Sequence, residues 1–258
     1  MTWNFLKHLF CPCRCPVALF GRTDTGKTRP NNEDSFSILP HNNLMMVADG
    51  MGGHNAGEIA SRTAIKSMIQ VLVPDALNQA SNNQNEIRHL LIHGLCKVNE
   101  QVIDKAREDQ AYSGMGCTFI LGYVNKGLFY TCHVGDVRAY LLTKDLRQLT
   151  QDHTYVAEIA RGDLSKTQSS DSAKVTRHVV SRAVGFPFPE DPDCTITPVA
   201  KGDRILLCSD GLWSMLPDAR LESILRQAST PEEACDTLIA EANKAGGKDN
   251  ITAVVGFV

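Results

Sequence analysis

The chain has 258 residues, 26 of them basic and 29 acidic, for a formal net charge of −3, with 43% hydrophobic and 21% charged residues. That composition excludes a disordered chain, and the near-neutral balance excludes a protein that grips nucleic acid mainly through its phosphates. No apolar run reaches the roughly 18–20 residues of a helical membrane span.

Residues 1–20 differ from the rest. Trp3, Phe5, Leu6, Leu9 and Phe10 form one apolar stretch, broken by Lys7 and His8, ahead of Cys11, Cys13 and Cys15. A secretory signal needs a longer unbroken core and a small-residue cleavage site, and His8 with three cysteines is crowded for structural zinc. This N-terminal extension is read as a loosely attached terminus, with peripheral membrane attachment through its apolar residues and acylated cysteines as the functional alternative. The remaining cysteines, Cys96, Cys117, Cys132, Cys194, Cys208 and Cys235, sit singly, mostly in apolar runs. That distribution suits a reducing cytoplasm.

Beyond residue 20 strand-like and helix-like stretches alternate. β-rich runs are expected at Ser35–Leu39, Leu44–Ala48, Thr118–Val124, Leu128–Val134, Arg138–Leu142, Cys194–Pro198, Arg204–Cys208 and Ile251–Val258. Apolar residues at helical spacing predict helices from Ile59 to Val71 and from Ile87 to Ile103, and a third helix is expected over Pro231–Lys244. The strands at 118–124, 128–134 and 138–142 are joined too tightly for helical crossovers, so they are expected to be antiparallel. Meandering strands with helices in pairs indicate α+β architecture rather than a doubly wound sheet. Residues 152–193 lose this pattern and read as a surface excursion that covers something. With no internal repeat, residues 21–258 are taken as one domain.

Three apolar runs end in an aspartate beside a glycine: Asp49-Gly50, Gly135-Asp136 and Asp210-Gly211; a fourth carboxylate, Asp249, precedes the strand from Ile251. Each alone reads as a turn. If the last strand runs antiparallel to its neighbours, all four meet at one rim of a buried sheet. Crowded there, they would raise one another's pKa, and only Lys248 and Arg138 lie close in sequence to any of them. A hard divalent ion answers that need, and oxygen-only ligation favours Mg²⁺ or Mn²⁺ over Zn²⁺. EF-hand spacing is absent. The Gly50 carbonyl is a further candidate ligand. Arg29-Pro-Asn-Asn-Glu33-Asp34 adds a guanidinium, whose planar fork fits a phosphate monoester, and two carboxylates able to complete a metal shell.

R29PNNED34, V47ADGMGGHNAGEIAS61, G114-x-G116-C-T118, H133VGDVRAY140, L149TQDH153, C208SDGLW213 and D249N250 resemble, in order, the signature segments of the bacterial-type PPM (type 2C) metal-dependent serine/threonine phosphatases. The resemblance runs from about residue 21 to the C-terminus and implies an antiparallel β-sandwich flanked by pairs of antiparallel helices, with a metal cleft at one edge. It implies hydrolysis of phosphoserine and phosphothreonine in proteins by a water activated between two Mn²⁺ or Mg²⁺ ions, with a serine/threonine kinase as the opposing partner. By the same resemblance Asp49 bridges the metals, Gly50 ligates through its carbonyl, and Asp210 and Asp249 are the other main ligands. Glu33 and Asp34 serve through water or from behind, Asp136 holds a weak third ion, Arg29 clamps phosphate, and residues 152–193 form the flap. A monomer is expected.

The chain departs from that pattern at two positions. Met51 stands where some relatives carry a histidine able to protonate the leaving group, which makes His153 the candidate acid. Ser214 stands where relatives often carry a third-metal aspartate. Two other classes compete. Gly21–Thr28 spells a Walker A sequence, but Pro30 opposes the helix that a nucleotide-binding loop requires. A phosphoprotein-binding module that has lost turnover is compatible with Met51 and Ser214. A cysteine phosphatase is disfavoured: Cys132 and Arg138 have the C-x₅-R spacing, but the loop between them holds the single Gly135 and lacks a phosphate-cradling glycine pattern.

Overall fold

The structure, a computed structural model, describes residues 17–52, 56–72, 74–80, 82–155, 157 and 179–258. Its strands are β1 (Ala18–Asp24), β2 (Asp34–Leu39), β3 (Leu44–Met51), β4 (Gly116–Asn125), β5 (Leu128–Val134), β6 (Arg138–Leu142), β7 (Leu146–Gln148), β8 (Asp193–Pro198), β9 (Arg204–Cys208) and β10 (Ile251–Phe257). Its helices are α1 (Ala56–Val71), α2 (Pro74–Ala80), α3 (Gln84–Glu108), the single turn α4 (Asp210–Trp213), α5 (Asp218–Gln227) and α6 (Pro231–Lys244). Two antiparallel five-stranded sheets form, ordered β1-β10-β9-β6-β7 and β2-β3-β4-β5-β8.

Three apolar clusters give the layers their order. Val47, Ile120, Phe129, Leu207 and Val254 meet between the two sheets. The opposite face of the β3–β4–β5 sheet packs Met46, Phe119 and Leu121 against Ala60, Ala64, Leu91 and Leu95 of α1 and α3. The outer face of the other sheet packs Leu206, Ala253 and Val255 against Leu225, Leu238 and Ala242 of α5 and α6. The result is the expected α-β-β-α sandwich, with β4 buried along its whole length. Strands buried on both faces carry near-continuous apolar runs, and each fully buried Leu or Phe contributes about 1.5–3 kcal/mol of transfer free energy.

The strands at 128–134, 138–142 and 204–208 form with the expected bounds, as does the helix at 231–244. The tight connections mislead at one point. β4 and β5 pair antiparallel, but β6 leaves for the other sheet, where it pairs with β9 and β7. Gly135–Val137 is the crossing, and Val137 is buried among the apolar residues between the sheets. β1 also lies across the expected start of the domain: Ala18 pairs with Phe257 and Asp24 with Ile251, so the folded body begins before residue 21. The membrane-attachment reading of Trp3–Phe10 and the cysteines at 11, 13 and 15 falls outside the described residues, as does most of the 152–193 excursion. Among the described residues no helix is long and apolar enough to cross a membrane.

Candidate active site

β2 and β3 run antiparallel with Asp34 directly opposite Asp49, and Asp49 lies opposite Thr118 of β4. β9 ends at Cys208, two residues before Asp210, and its antiparallel neighbour β10 begins at Ile251, two after Asp249. The expectation that the last strand would start at the rim where the others end is met. Asp136 arrives at the same rim from the crossing after β5.

The cleft formed there has a volume of about 510 Å³. Glu33, Asp49, Asp136, Asp210 and Asp249 all line it, and Arg29 faces them as the cation among its described walls. Gly50, Met51, Thr118, Asn250, Val179 and Val180 complete much of the wall. Asp34 sits just behind. It is 6% exposed, its Oδ2 accepts hydrogen bonds from Ser209 Oγ at 2.7 Å and Thr252 Oγ1 at 2.5 Å, and its Oδ1 is buried with no partner.

Electrostatics follow from this crowding. Burial, followed by Asp34, Asp210, Asp136 and Asp249, holds the Asp49 carboxyl well above the usual range. Burial pushes Asp34 up to about 7 against the two hydroxyl hydrogen bonds, with Asp210 and Asp249 adding repulsion. Burial and the nearby Asp210 and Asp152 raise Asp136 to about 8, although Arg138 opposes them. Burial also raises Glu33, with Arg29 acting the other way. Carboxylates gathered this way are charged together only when cations join them. The orphaned Asp34 oxygen, the five-carboxylate wall and the absence of thiolate or imidazole among the described lining residues all fit hard divalent ions.

Backbone and amide contacts hold the site. Asn250 accepts the Glu33 N–H at 2.8 Å and donates to the carbonyls of Thr25 and Asn31 at 2.9 and 2.8 Å, tying the Arg29–Glu33 loop to the start of β10. Arg29 Nη2 donates to Asp249 Oδ2 at 2.7 Å. The Gly50 N–H donates to the Glu33 carbonyl at 3.2 Å. At Gly211, a Cβ would stand 2.0 Å from the Asn250 carbonyl oxygen, so only glycine lets α4 approach β10 this closely. At Gly135, a φ of +104° turns the chain into the crossing that presents Asp136. Trp213 Nε1 donates to the Asp136 carbonyl at 3.0 Å, and Arg138 stacks 3.6 Å from the Trp213 ring while forking onto Asp152.

One sequence expectation fails on this geometry, and the Walker A reading that Pro30 opposed finds no support. His153 is 2% exposed, lies behind the cleft wall, and its Nδ1 accepts the Gly135 N–H at 3.1 Å. It braces the crossing and does not reach a leaving group, so the acid's role is withdrawn. Nor is Gly21–Thr28 a nucleotide loop. Gly21–Asp24 belongs to β1, Gly26 turns the chain, and the Lys27 N–H donates to the Gly247 carbonyl at 2.7 Å, with no helix following. Ser214 is exposed at the end of α4 and does not line the cleft.

His133, His153 and Asp193 also bring possible ligand atoms within 4.8 Å of one another. The two rings stack with centroids 4.7 Å apart. Because Nδ1 of His153 already accepts from Gly135, the neutral ring carries its proton on Nε2, facing Asp193 Oδ2 at 3.4 Å. That ring has no free lone pair for a metal. The trio is a brace, held by ring stacking and by hydrogen bonds from its two rings to the Gly135 N–H and the Gln151 carbonyl.

Sequence reasoning quoted Asn250, Thr118, Ser209 and Trp213 within its motifs without giving them a role, and missed Thr252. An asparagine after an aspartate at the head of an apolar strand was the available signal for Asn250. The others lie within strand or helix runs, where nothing in the sequence separates a site wall from a core.

An acid-lined cleft at the rim of a β-sandwich, with one arginine facing it, defines a class: proteins that hold hard divalent cations and an oxyanion together. The chain belongs to the protein phosphatase 2C family, whose model matches residues 13–251. It is 35% identical over 241 residues to the serine/threonine phosphatase stp of Listeria innocua, covering 91% of this chain and 93% of that protein. It is 32% identical over 239 residues to the protein phosphatase PhpP of Streptococcus pneumoniae, covering 90% and 94%. Among solved structures, the Mycobacterium tuberculosis serine/threonine phosphatase PstP/Ppp superposes with a TM-score of 0.80 at 30% identity, covering 94% of this chain and 98% of that one. The catalytic domain of PstP in complex with two manganese ions gives a TM-score of 0.75 at 30% identity, covering 93% and 97%.

Proposed function

We propose that this chain removes phosphate from phosphoserine and phosphothreonine in proteins, using two divalent ions, Mn²⁺ or Mg²⁺, held by Asp49, the Gly50 carbonyl, Asp210 and Asp249. The observation that carries the reading is the five-carboxylate wall facing Arg29 in one cleft. When bound, such a pair of ions supplies a water acidic enough to ionise near neutral pH. The chain's own residues do the rest. Asp34 and Glu33 support the ligand shell from behind and beside it, and Asp136 is placed for a weaker third ion. Arg29, exposed along half its side chain, turns its fork toward phosphoryl oxygens while Asp249 keeps it at the rim. Asn250 fixes the loop that carries Arg29 and Glu33 relative to Asp249. Val179 and Val180 give the cleft an apolar lip.

The reading includes an opposing serine/threonine kinase, because this substrate exists only where such a kinase has acted. It includes a monomer, and a reducing compartment, in keeping with the six free cysteines among the described residues.

The test is phosphate release from a phosphothreonine peptide, run with Mn²⁺, with Mg²⁺ and with excess chelator. Release with either ion and none with chelator is expected. Peptide binding without release under all conditions would instead indicate a phosphoprotein-binding module. Asp210→Asn is expected to cut turnover by more than about 100-fold while circular dichroism shows the fold retained; wild-type activity in that variant would remove Asp210 from the metal shell.

A further inference from the structure

Cys132 of β5 and Cys194 of β8 are direct antiparallel partners. Their side chains share one face of the sheet, where Cys132 is fully buried in the cluster under α1 and α3 and Cys194 packs against it. Cross-strand register sets the two thiols against each other. β8 is the outer strand of its sheet, so Cys194 is partly open to solvent while its partner is not. Cross-strand partners hold their Cβ atoms about 4.5–5.5 Å apart, against about 3.8 Å in a disulfide. Closing the bond takes a displacement of about 1 Å and no refolding.

We propose that Cys132 and Cys194 are an oxidation site: a hydroperoxide-class oxidant closes a disulfide between them, and closure slows the phosphatase. The Cys194 thiol ionises and its thiolate attacks the peroxide oxygen; the S–O bond forms as the O–O bond breaks, the sulfur is oxidised to sulfenic acid, and the departing oxyanion takes up the proton released by the thiol, leaving as water from hydrogen peroxide. The Cys132 sulfur then attacks that sulfur; the S–S bond forms, the S–O bond breaks, and the departing hydroxide takes the Cys132 proton as a second water. The division of labour follows from the surroundings. The neighbouring Cys132 thiol and the charge of Arg88 lower the Cys194 thiol. The Cys132 thiol is raised by the neighbouring Cys194 and by burial, so it stays a thiol until its partner is oxidised.

The link to the site is a short chain of contacts. Asp193 precedes Cys194 and stands opposite His133. It faces His153 Nε2 at 3.4 Å, and His153 holds the Gly135 N–H at 3.1 Å, one residue before Asp136. Drawing β8 toward β5 disturbs this brace. The inference about turnover rests on the proposed phosphatase reading; the bond itself does not.

The experiment treats the full chain with hydrogen peroxide, alkylates the remaining thiols and maps the digested peptides by mass spectrometry, with peptide turnover followed in parallel. A linked pair joining Cys132 to Cys194 is expected, together with a loss of turnover of at least about threefold that dithiothreitol reverses. Cys194→Ser is expected to match the wild-type rate when reduced and to keep it after peroxide. Both thiols found alkylated, or bonded only to Cys96 or other cysteines, would overturn the site, whatever the enzyme assay gives. A mapped Cys132–Cys194 bond with unchanged turnover, or an equal loss in Cys194→Ser, would overturn its link to catalysis.

Discussion

Arg29 illustrates how a single side chain is set up in this cleft. One Nη2 contact of 2.7 Å binds it to Asp249 across the rim, and Pro30 follows it, which disfavours helical backbone at Arg29. A guanidinium offers two parallel donors to a phosphoryl group, and charge-assisted hydrogen bonds of that kind are worth about 1.5–3 kcal/mol. Arg29→Ala should therefore lower kcat/KM for a phosphothreonine peptide by roughly 10- to 100-fold, and Arg29→Lys should recover little of it, because the ammonium lacks the fork. Full rescue by lysine in steady-state kinetics would show that charge alone matters. Asp49, Asp136, Asp210 and Asp249 were legible because each lies at the end of an apolar run, three of them beside a glycine, and Arg29 and Glu33 because they sit in a polar knot that no core would carry. His153 was misread, since nothing in Asp152-His153-Thr154 says whether the imidazole faces a cleft or a wall.

At the scale of elements, α6 shows how local chemistry fixes a boundary. Thr230 Oγ1 accepts the Glu233 N–H at 3.1 Å, Glu233 Oε2 accepts the Ser229 N–H at 2.7 Å, and Pro231 takes the first helical position. Two otherwise unpaired donors are satisfied at a start that the sequence announces. Thr230→Ala is expected to destabilise the protein by about 1 kcal/mol, read as a lower denaturant midpoint with an unchanged m-value; an unaltered midpoint would mean that solvent serves those N–H groups equally well. β1 was far less legible. Its sequence, ALFGRTD, carries glycine and three polar residues, and it forms a strand because β10 offers a free edge along its whole length. The crossing after β5 was invisible for a related reason: three residues can close a hairpin or step between sheets, and the burial of Val137 between the layers decides which.

For the whole molecule, the carboxylate cleft makes stability depend on pH and metal. Asp34 and Asp136 have folded values of about 7 and about 8, both above the usual carboxylate value. Between that ordinary value near 4 and the folded values, the folded chain holds protons that the unfolded chain has released, so raising the pH favours unfolding. The metal-free protein should show a melting temperature that falls from about pH 5 to about pH 8, with Mn²⁺ restoring more at pH 8 than at pH 5. A profile that is flat or that rises with pH in chelator, measured by scanning calorimetry, would mean that the carboxylates do not repel one another as their positions require. By itself the sequence determined the alternation of strands and paired helices, the apolar faces that make four layers, and the acidic residues that end the strands, because periodicity and turn chemistry are local. Only the tertiary structure decided which strands share a sheet, that β1 completes one of them, and that His153 braces the loop before Asp136. Those outcomes depend on which surfaces meet across the core, and residues far apart in the chain settle them together.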